Sequence, residues 1–298
     1  MNLSGLHILL TYQCTFECDH CFVWGSPWQQ GTLTLPQLED ILQQAQTADV
    51  EEIYLEGGEP FLYYALMRKG LQLARDLGFT TGVVSNAYWA NSPEDAIEWL
   101  RPLRGLVDDL SISSDLYHYS EQMSKQARNA ASAAQALGIP LGVISVCQPE
   151  TEDARQTIGT VEGEGAAVMY RGRAAQNLVE QAAKHPWDSF DECPHEDLRE
   201  PGRLHLDPLG NLHICQGISI GNLFERPLAE IVASYDPAAH PICSPLLEGG
   251  PAALVSEYNL SPKPTYADAC HLCYESRLAL RPRFPHILAP DQMYGQLA

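Results

Sequence analysis

The 298-residue sequence predicts an α/β fold, in which a partial (β/α)6 TIM-like barrel is followed by a small cysteine-rich C-terminal domain. Apolar runs of strand length alternate with helical patterns between residues 6 and 170, an order typical of parallel strands joined by right-handed crossovers. Six such units are present, fewer than the eight of a closed barrel. From Cys193 onward, proline, glycine and cysteine become frequent and helical periodicity weakens.

The elements of the barrel follow from apolar periodicity and from helix-capping residues. Thr34, with Pro36 after it, is expected to cap the first helix, and Gly78 and Gly138 are expected to end the second and the fourth. The predicted strands are Leu6–Leu10, Glu52–Glu56, Thr81–Ser85, Asp109–Ser113, Leu141–Val146 and Ala166–Tyr170. The predicted helices are Leu35–Ala48, Ala65–Leu77, Ser92–Leu100 and Glu121–Leu137.

The cysteine-rich part is expected to form a domain of its own. We place the boundary at Lys184-His185-Pro186, which gives a barrel of residues 1–184 and a C-terminal domain of residues 185–298. Within that domain, the segment Gly210–Cys215 predicts a glycine turn that leads into a short strand, as in a hairpin.

Charge and cysteine usage exclude several classes of protein. With 18 Lys and Arg against 38 Asp and Glu, the formal net charge is −20, so we expect no binding to nucleic acid, which requires phosphate neutralisation, and none to an anionic membrane. No apolar stretch approaches a membrane span, and no signal peptide precedes the first strand. The nine cysteines fall in close groups, so we expect a reduced, cytoplasmic protein whose cysteines bind metal.

Three cysteines follow the first predicted strand on one short loop. Cys14, Cys18 and Cys21 are separated by three and by two residues, and the loop leaves the strand end at which α/β barrels carry their chemistry. Three thiolates on such a loop can point at one metal centre and leave a coordination position open, which is typical of catalytic sites. The alternatives are zinc, whose sites more often pair two Cys-x-x-Cys units, and a chance group of structural thiols.

The cysteine spacing resembles the cluster-binding loop of the radical S-adenosylmethionine (AdoMet, or SAM) enzymes. The resemblance implies that Cys14, Cys18 and Cys21 hold a 4Fe–4S cluster and that AdoMet binds the open iron through its amino and carboxylate groups. It also implies an electron donor such as flavodoxin or ferredoxin. Phe22, directly after Cys21, is an expected AdoMet contact.

A second motif follows the second predicted strand. Gly57-Gly58-Glu59-Pro60 combines two glycines, which let a backbone approach a ligand closely, with a carboxylate that can accept from an ammonium group. A plain strand-to-helix turn is the alternative. The motif resembles the Gly-Gly-Glu-Pro sequence of the same enzymes, which implies that it binds the amino group of AdoMet.

Polar side chains at other strand ends are further candidates for AdoMet binding. Ser85 and Asn86 follow the third strand, Ser113 ends the fourth, and Arg171 and Arg173 follow the sixth. Polar residues at this end of a barrel are more often functional than those at the opposite end. Helix capping is the alternative for the serines and asparagine, and a surface pair is the alternative for the arginines, which could bind a carboxylate.

Four cysteines of the C-terminal domain have contexts typical of metal ligands. They are Cys193, Cys215, Cys270 and Cys273. Their arrangement resembles the shortened auxiliary-cluster domain, called twitch, of the SPASM/twitch group of radical AdoMet enzymes, and implies one auxiliary 4Fe–4S cluster with all four irons ligated. Zinc is the alternative, since Cys-x-x-Cys suits both metals. Cys243 and Cys147 are expected to be buried or free thiols, although Cys147 follows a strand and could approach substrate as a catalytic residue.

The resemblance implies an enzyme that reductively cleaves AdoMet to a 5′-deoxyadenosyl radical and abstracts a substrate hydrogen atom. The first strand begins within about six residues of Met1, which leaves no room for a peptide-recognition domain before it, so we expect oxidation or modification of a small molecule. A peptide-modifying enzyme with recognition supplied in trans is the alternative. A non-catalytic zinc or Fe–S protein for binding or electron transfer is the alternative of another class.

Overall fold

The computed structural model describes residues 1–118, 121–149 and 165–296, with backbone alone at residues 121–124. The chain forms two compact units. The barrel unit comprises Ser4–Cys18 and Gly25–Val168, and the cysteine-rich unit comprises Met1–Leu3, Asp19–Trp24 and Met169–Ala298. The compact units therefore divide near residue 168, whereas the boundary at residue 184, drawn from composition, stays a prediction.

The described part of the barrel unit contains a parallel sheet of six strands in the order β1-β2-β3-β4-β5-β6. Its strands are β1 Gly5–Thr11, β2 Glu52–Gly57, β3 Thr80–Ser85, β4 Asp109–Ser113, β5 Leu141–Val146 and β6 Gly165–Ala166. Its helices are α1 Leu35–Thr47, α2 Tyr64–Asp76, α3 Pro93–Leu100 and α4 Glu121–Leu137. The alternation confirms the predicted α/β fold.

Local sequence signals fix the ends of these helices. The Thr34 side chain accepts from the Gln37 amide while the Thr34 amide donates to the Gln37 side chain, which forms a capping box. Ser92 caps α3 by accepting from the Asp95 amide at 3.0 Å. Each cap satisfies amide groups that the first helical turn leaves without partners.

The two faces of the sheet differ in polarity because side chains alternate along a strand. Leu6, Ile8 and Leu55 are fully buried, and burial of each such side chain contributes about 1.5–3 kcal/mol. On the other face, His7 stacks on Tyr54 with ring centroids 4.7 Å apart. The Tyr54 hydroxyl lies 3.3 Å from Asp109 Oδ2, and burial, followed by the Asp109 charge, raises the Tyr54 pKa to about 12. The sheet therefore has one apolar and one polar face.

The cysteine-rich unit combines short antiparallel strands with four helices among its described residues. Strands β8 Arg203–Leu206, β9 Asn211–Cys215 and β10 Ile218–Asn222 pair in sequence order, and β7 His185–Pro186 pairs with β11 Thr265–Tyr266. The hairpin predicted around Gly210–Cys215 is confirmed. The helices are α5 Ala174–Asn177, α6 Leu228–Ser234, α7 Cys243–Glu257 and α8 Ala269–Leu280.

The sixth strand is shorter than predicted. Strand character ends at Ala166 and does not continue to Tyr170. The chain turns instead, since the Arg171 amide donates to the Met169 carbonyl at 2.7 Å and the Tyr170 amide donates to Asp268 Oδ2 at 3.2 Å. The apolar run at 166–170 therefore leads into the cysteine-rich unit rather than extending the sheet.

In the described part of the chain, no helix is both long enough and apolar enough to span a bilayer.

Candidate functional site

The turn after β2 packs directly on the residues that lead into Cys14. The Gly58 amide donates to the Thr11 carbonyl at 2.7 Å, and the Glu59 amide donates to the Gln13 carbonyl at 2.8 Å. A Cβ atom on Gly58 would lie 2.1 Å from the Gln13 carbonyl oxygen, and one on Gly57 would lie 2.4 Å from that of Thr11. The glycines are thus required by close approach of this chain's own backbone, not only by approach of a ligand.

The Glu59 carboxylate is fully buried and braces this turn. It accepts from the Phe61 amide at 3.1 Å, the Ser85 hydroxyl at 2.9 Å and the Asn86 amide at 2.8 Å. Burial raises its pKa to about 7, against the opposing effect of these hydrogen bonds. The predicted contact between Glu59 and the AdoMet ammonium group stays a prediction, and the geometry favours a bracing role for the side chain.

The end of β3 meets the same turn and the cysteine loop. Ser85 Oγ, besides donating to Glu59, accepts from the Trp89 indole at 3.0 Å. Asn86 Nδ2 donates to Thr15 Oγ1 at 3.0 Å and lies 3.5 Å from Cys14 Sγ. Two predicted AdoMet contacts, Ser85 and Asn86, therefore lie beside Glu59 and Cys14.

A histidine that sequence analysis missed contacts the cysteine loop. His118 Nε2 lies 3.2 Å from Cys18 Sγ, and His118 Nδ1 lies 2.8 Å from Asp115 Oδ1. The other Asp115 oxygen accepts from the Val146 amide at 3.1 Å, which fixes the carboxylate between β4 and β5. A carboxylate that orients a histidine toward a sulfur is a typical arrangement around a metal ligand. The signal in the sequence was a histidine three residues after a strand-end aspartate.

The segment that carries Cys21 is held within the cysteine-rich unit by Arg171-Gly172-Arg173. The Arg173 amide donates to the Cys21 carbonyl at 3.0 Å. Gly172 has φ +59°, and a Cβ atom there would lie 2.5 Å from Phe22 Cα. The Arg171 guanidinium lies 5.3 Å from the Phe22 ring centroid, within the range of a cation–π contact. The segment containing Cys21 and Phe22 is therefore fixed by backbone and side-chain contacts together.

Ser113 and Cys147 lie at the ends of neighbouring strands. Ser113 is half-buried at the end of β4 and pairs with Ile144 in the sheet. Cys147 is buried directly after β5, and its carbonyl accepts from the Tyr117 hydroxyl at 3.2 Å. Their predicted roles, as an AdoMet contact and as a catalytic residue, stay predictions.

The four candidate ligands of the auxiliary cluster line one pocket in the cysteine-rich unit. Burial raises the thiol pKa of Cys193 and Cys270, and that of Cys273 to about 11. Four thiols gathered in one pocket suit a soft metal centre, as in Fe–S or zinc sites. The polar and charged side chains that line the pocket are Cys193, Cys215, Cys270, Cys273, Arg171, Arg277, Glu196 and His195.

Cys243 lies outside the residues that line this pocket. It is fully buried at the start of α7, as expected of a structural thiol, and burial raises its pKa to about 12.

Comparison with known proteins gives one family match and several relatives. The model of the radical SAM superfamily matches residues 8–159. YydG of Bacillus subtilis (strain 168), assigned to peptide biosynthesis, is 23% identical over 263 residues, which cover 88% of this chain and 76% of that protein. A Saccharolobus islandicus protein assigned as a GTP 3′,8-cyclase is 40% identical over 86 residues, 26% of this chain and 27% of that one.

The fold is shared with a solved structure. The structure of native anSMEcpe with bound AdoMet and Cp18Cys peptide matches with a TM-score of 0.56 and 12% identity, over 94% of this chain and 97% of that one.

Proposed function

The chain belongs to the radical SAM superfamily, and from this membership we propose that it is a peptide-modifying radical AdoMet enzyme with an auxiliary cluster. The observation that carries the AdoMet-cleaving activity is the family match over residues 8–159, which contains both the three-cysteine loop and the Gly57–Pro60 turn. A 4Fe–4S cluster bound by this loop would, when reduced, supply the one electron for cleavage of AdoMet to methionine and a 5′-deoxyadenosyl radical, and that radical would abstract a hydrogen atom from substrate.

Cys14, Cys18 and Cys21 are the proposed ligands of the AdoMet-binding cluster. The proposal is supported by their spacing and by the polar groups beside two of them, Asn86 at Cys14 and His118 at Cys18. Hydrogen bonds to ligating sulfur stabilise the thiolate form, and such partners orient metal ligands. An external donor such as flavodoxin or ferredoxin is the proposed source of the electron.

The turn after β2 is the proposed binding site for the methionyl part of AdoMet. Gly57, Gly58 and Pro60 shape the turn, and buried Glu59 holds it against Ser85 and Asn86. The ammonium group of AdoMet would then meet acceptors on the turn, with Glu59 setting their position. Ser113 and Phe22 remain proposed AdoMet contacts. Arg171 was predicted to bind AdoMet. Its guanidinium donates instead to Glu196 and Cys215, which favours a role at the auxiliary site.

Cys193, Cys215, Cys270 and Cys273 are the proposed ligands of an auxiliary 4Fe–4S cluster. Their common pocket supports this, as does the charge of the buried arginines beside them, which complements the negative charge of a thiolate-ligated cluster. Such a cluster would transfer electrons or stabilise the unit, because four protein ligands leave no open iron for substrate.

The proposed substrate is a peptide. Similarity to YydG extends over 88% of this chain and favours a peptide over the small molecule that the sequence alone favoured. Hydrogen abstraction from a deuterated substrate transfers deuterium to 5′-deoxyadenosine, so the substrate class can be measured without knowing the substrate. The reduced enzyme should be incubated with AdoMet and with separate peptide and metabolite fractions from deuterium-labelled cells of its source.

Mass spectrometry should then detect deuterated 5′-deoxyadenosine with the peptide fraction. Cys18→Ala enzyme is the control for label that enters by other routes. Deuterium transfer from the metabolite fraction alone would replace the peptide proposal with a small-molecule substrate.

A further inference from the structure

Two buried arginines reach the pocket of the four cysteines. Arg171 is 9% exposed and Arg277 is 1% exposed, and both line the pocket. A guanidinium group stays charged in proteins, and burial of an uncompensated charge is costly. Two buried positive charges in one pocket are therefore stable only if a negatively charged group lies beside them.

Arg171 is partly neutralised by a carboxylate. Its Nη1 donates to Glu196 Oε1 at 3.1 Å and to Cys215 Sγ at 3.3 Å. One guanidinium is thus shared between a carboxylate and a candidate cluster ligand.

Arg277 has no carboxylate partner among the described residues. Its Nη1 donates to the Gln216 carbonyl and lies 3.3 Å from the Tyr294 hydroxyl. Its guanidinium lies 5.8 and 5.7 Å from the ring centroids of Tyr274 and Tyr294. Its buried Nε has no hydrogen-bond partner in the described part of the chain, and its guanidinium lines the same pocket as Cys273. Among the described residues, this buried cation therefore lines the pocket of the thiols without a compensating carboxylate.

We propose that Arg171 and Arg277 are positioning residues that raise the reduction potential of the auxiliary cluster by offsetting its charge, and that Arg171 adds to this effect by donating to the Cys215 sulfur. The inference rests on the proposed ligation by Cys193, Cys215, Cys270 and Cys273. A cluster held by four thiolates is negative and becomes more so when one electron is added, so nearby cations and hydrogen bonds to sulfur favour the reduced form. The effect is strong in a pocket of low dielectric.

The two arginines are expected to differ in strength. Glu196 offsets part of the Arg171 charge, whereas Arg277 acts without such an opponent among the described residues. Removal of Arg277 should therefore lower the potential more than removal of Arg171. Removal of the Glu196 charge should raise the potential, a change of opposite sign that general loosening of the pocket would not produce.

The experiment is a redox titration with dithionite as the one-electron reductant, followed by electron paramagnetic resonance. The full-length chain with Cys14→Ala, Cys18→Ala and Cys21→Ala isolates the auxiliary signal. In that background, Arg277→Gln should lower the ratio of reduced to oxidised cluster at a fixed potential by roughly tenfold, which corresponds to about 59 mV. Arg171→Gln should lower this ratio less, and Glu196→Gln should raise it. Arg277→Lys, which keeps the positive charge, should give a ratio close to that of the chain with Arg277.

Arg281→Gln is the matched control. The Arg281 guanidinium also stacks on Tyr294, at 4.7 Å from the ring centroid, but it lies outside the residues lining the pocket, so its loss should leave the potential unchanged. If Arg277→Gln unfolds the chain, the reduction potentials of Arg171→Gln and Glu196→Gln test the inference instead, since they should shift in opposite directions. If the chain without Cys14, Cys18 and Cys21 binds iron but the cluster potential is the same in all variants, the role of the arginines is overturned and the proposed auxiliary cluster stands. If the chain without Cys14, Cys18 and Cys21 binds no iron, both the role of the arginines and the proposed auxiliary cluster are overturned.

Discussion

The amide of Glu59 donates to the carbonyl of Gln13 at 2.8 Å, which joins the turn after β2 to the residue directly before Cys14. Together with the bond from Gly58 to Thr11, it makes the glycine turn a support for the cysteine loop. The glycine turn and the start of the three-cysteine loop are therefore joined within the barrel unit, and a change in one should disturb the other.

Gly58→Ala should disrupt the cysteine loop. Its Cβ would lie 2.1 Å from the Gln13 carbonyl oxygen, so the backbone must move, at a cost of more than about 2 kcal/mol in the free energy of unfolding. Chemical denaturation and iron analysis of the reconstituted protein measure both effects. Wild-type stability and iron content in Gly58→Ala would contradict the proposed support.

Glu59 should make stability depend on pH. Because burial raises its pKa to about 7 in the folded chain, above an ordinary value of 4.5, folding favours the protonated carboxyl. Its contribution is therefore full below about pH 4.5 and is lost as pH rises toward about 7, at up to about 1.4 kcal/mol per pH unit. Glu59→Gln lacks this titration.

Denaturation of wild type and Glu59→Gln at pH 5 and pH 8 measures the difference. Wild type should lose stability relative to the variant at the higher pH. If the free energy of unfolding differs between wild type and Glu59→Gln by the same amount at pH 5 and at pH 8, the Glu59 pKa is close to its ordinary value.

Gly172→Ala should displace the segment that carries Cys21. The residue has φ +59°, and an added Cβ would lie 2.5 Å from Phe22 Cα and 2.7 Å from the Cys21 carbonyl oxygen. Gly138→Ala is the matched control, since Gly138 has φ +66° but no atom within 4 Å of the added Cβ. Both substitutions should cost about 1–2 kcal/mol for the left-handed backbone, and only Gly172→Ala should also lower iron bound at the AdoMet site. Equal iron content in the two variants would argue against a tight contact at Phe22.

Iron content should divide between two sites. Anaerobically reconstituted wild type should hold about eight irons per chain if both sites carry 4Fe–4S clusters. Changing Cys14, Cys18 and Cys21 together to alanine should halve this, and so should Cys270→Ala with Cys273→Ala. The second pair should also destabilise the cysteine-rich unit, because bound metal contributes folding energy. Iron that depends on the first three cysteines alone would leave zinc or no metal at the other four.

Periodicity and capping predicted most of the barrel unit because these signals are local. The bounds of β4, α4 and β5 agree with prediction, and Thr34 caps its helix as expected. The sixth strand was predicted too long because an apolar run does not reveal where pairing ends. Helix α7 was missed because Gly249 and Gly250 interrupt its pattern.

The site was only partly predictable because its contacts join distant positions. Cysteine spacing and the Gly-Gly-Glu-Pro turn are visible in the sequence, but the hydrogen bonds of Glu59 to Ser85 and Asn86 are not. His118 lies 100 residues from Cys18, and Arg171 lies 44 residues from Cys215. No local sequence pattern indicates such pairs, so the residues that surround the thiols could be identified only from the three-dimensional structure.

Formation of 5′-deoxyadenosine from AdoMet tests the central claim most directly. Dithionite-reduced wild type should form it, slowly without substrate and faster with cell extract, whereas Cys18→Ala should form none because its cluster lacks a proposed ligand. Liquid chromatography with mass spectrometry measures the product. A wild-type protein that holds its clusters and binds AdoMet, yet forms no 5′-deoxyadenosine even with extract, would contradict catalysis and favour an electron-transfer or binding protein.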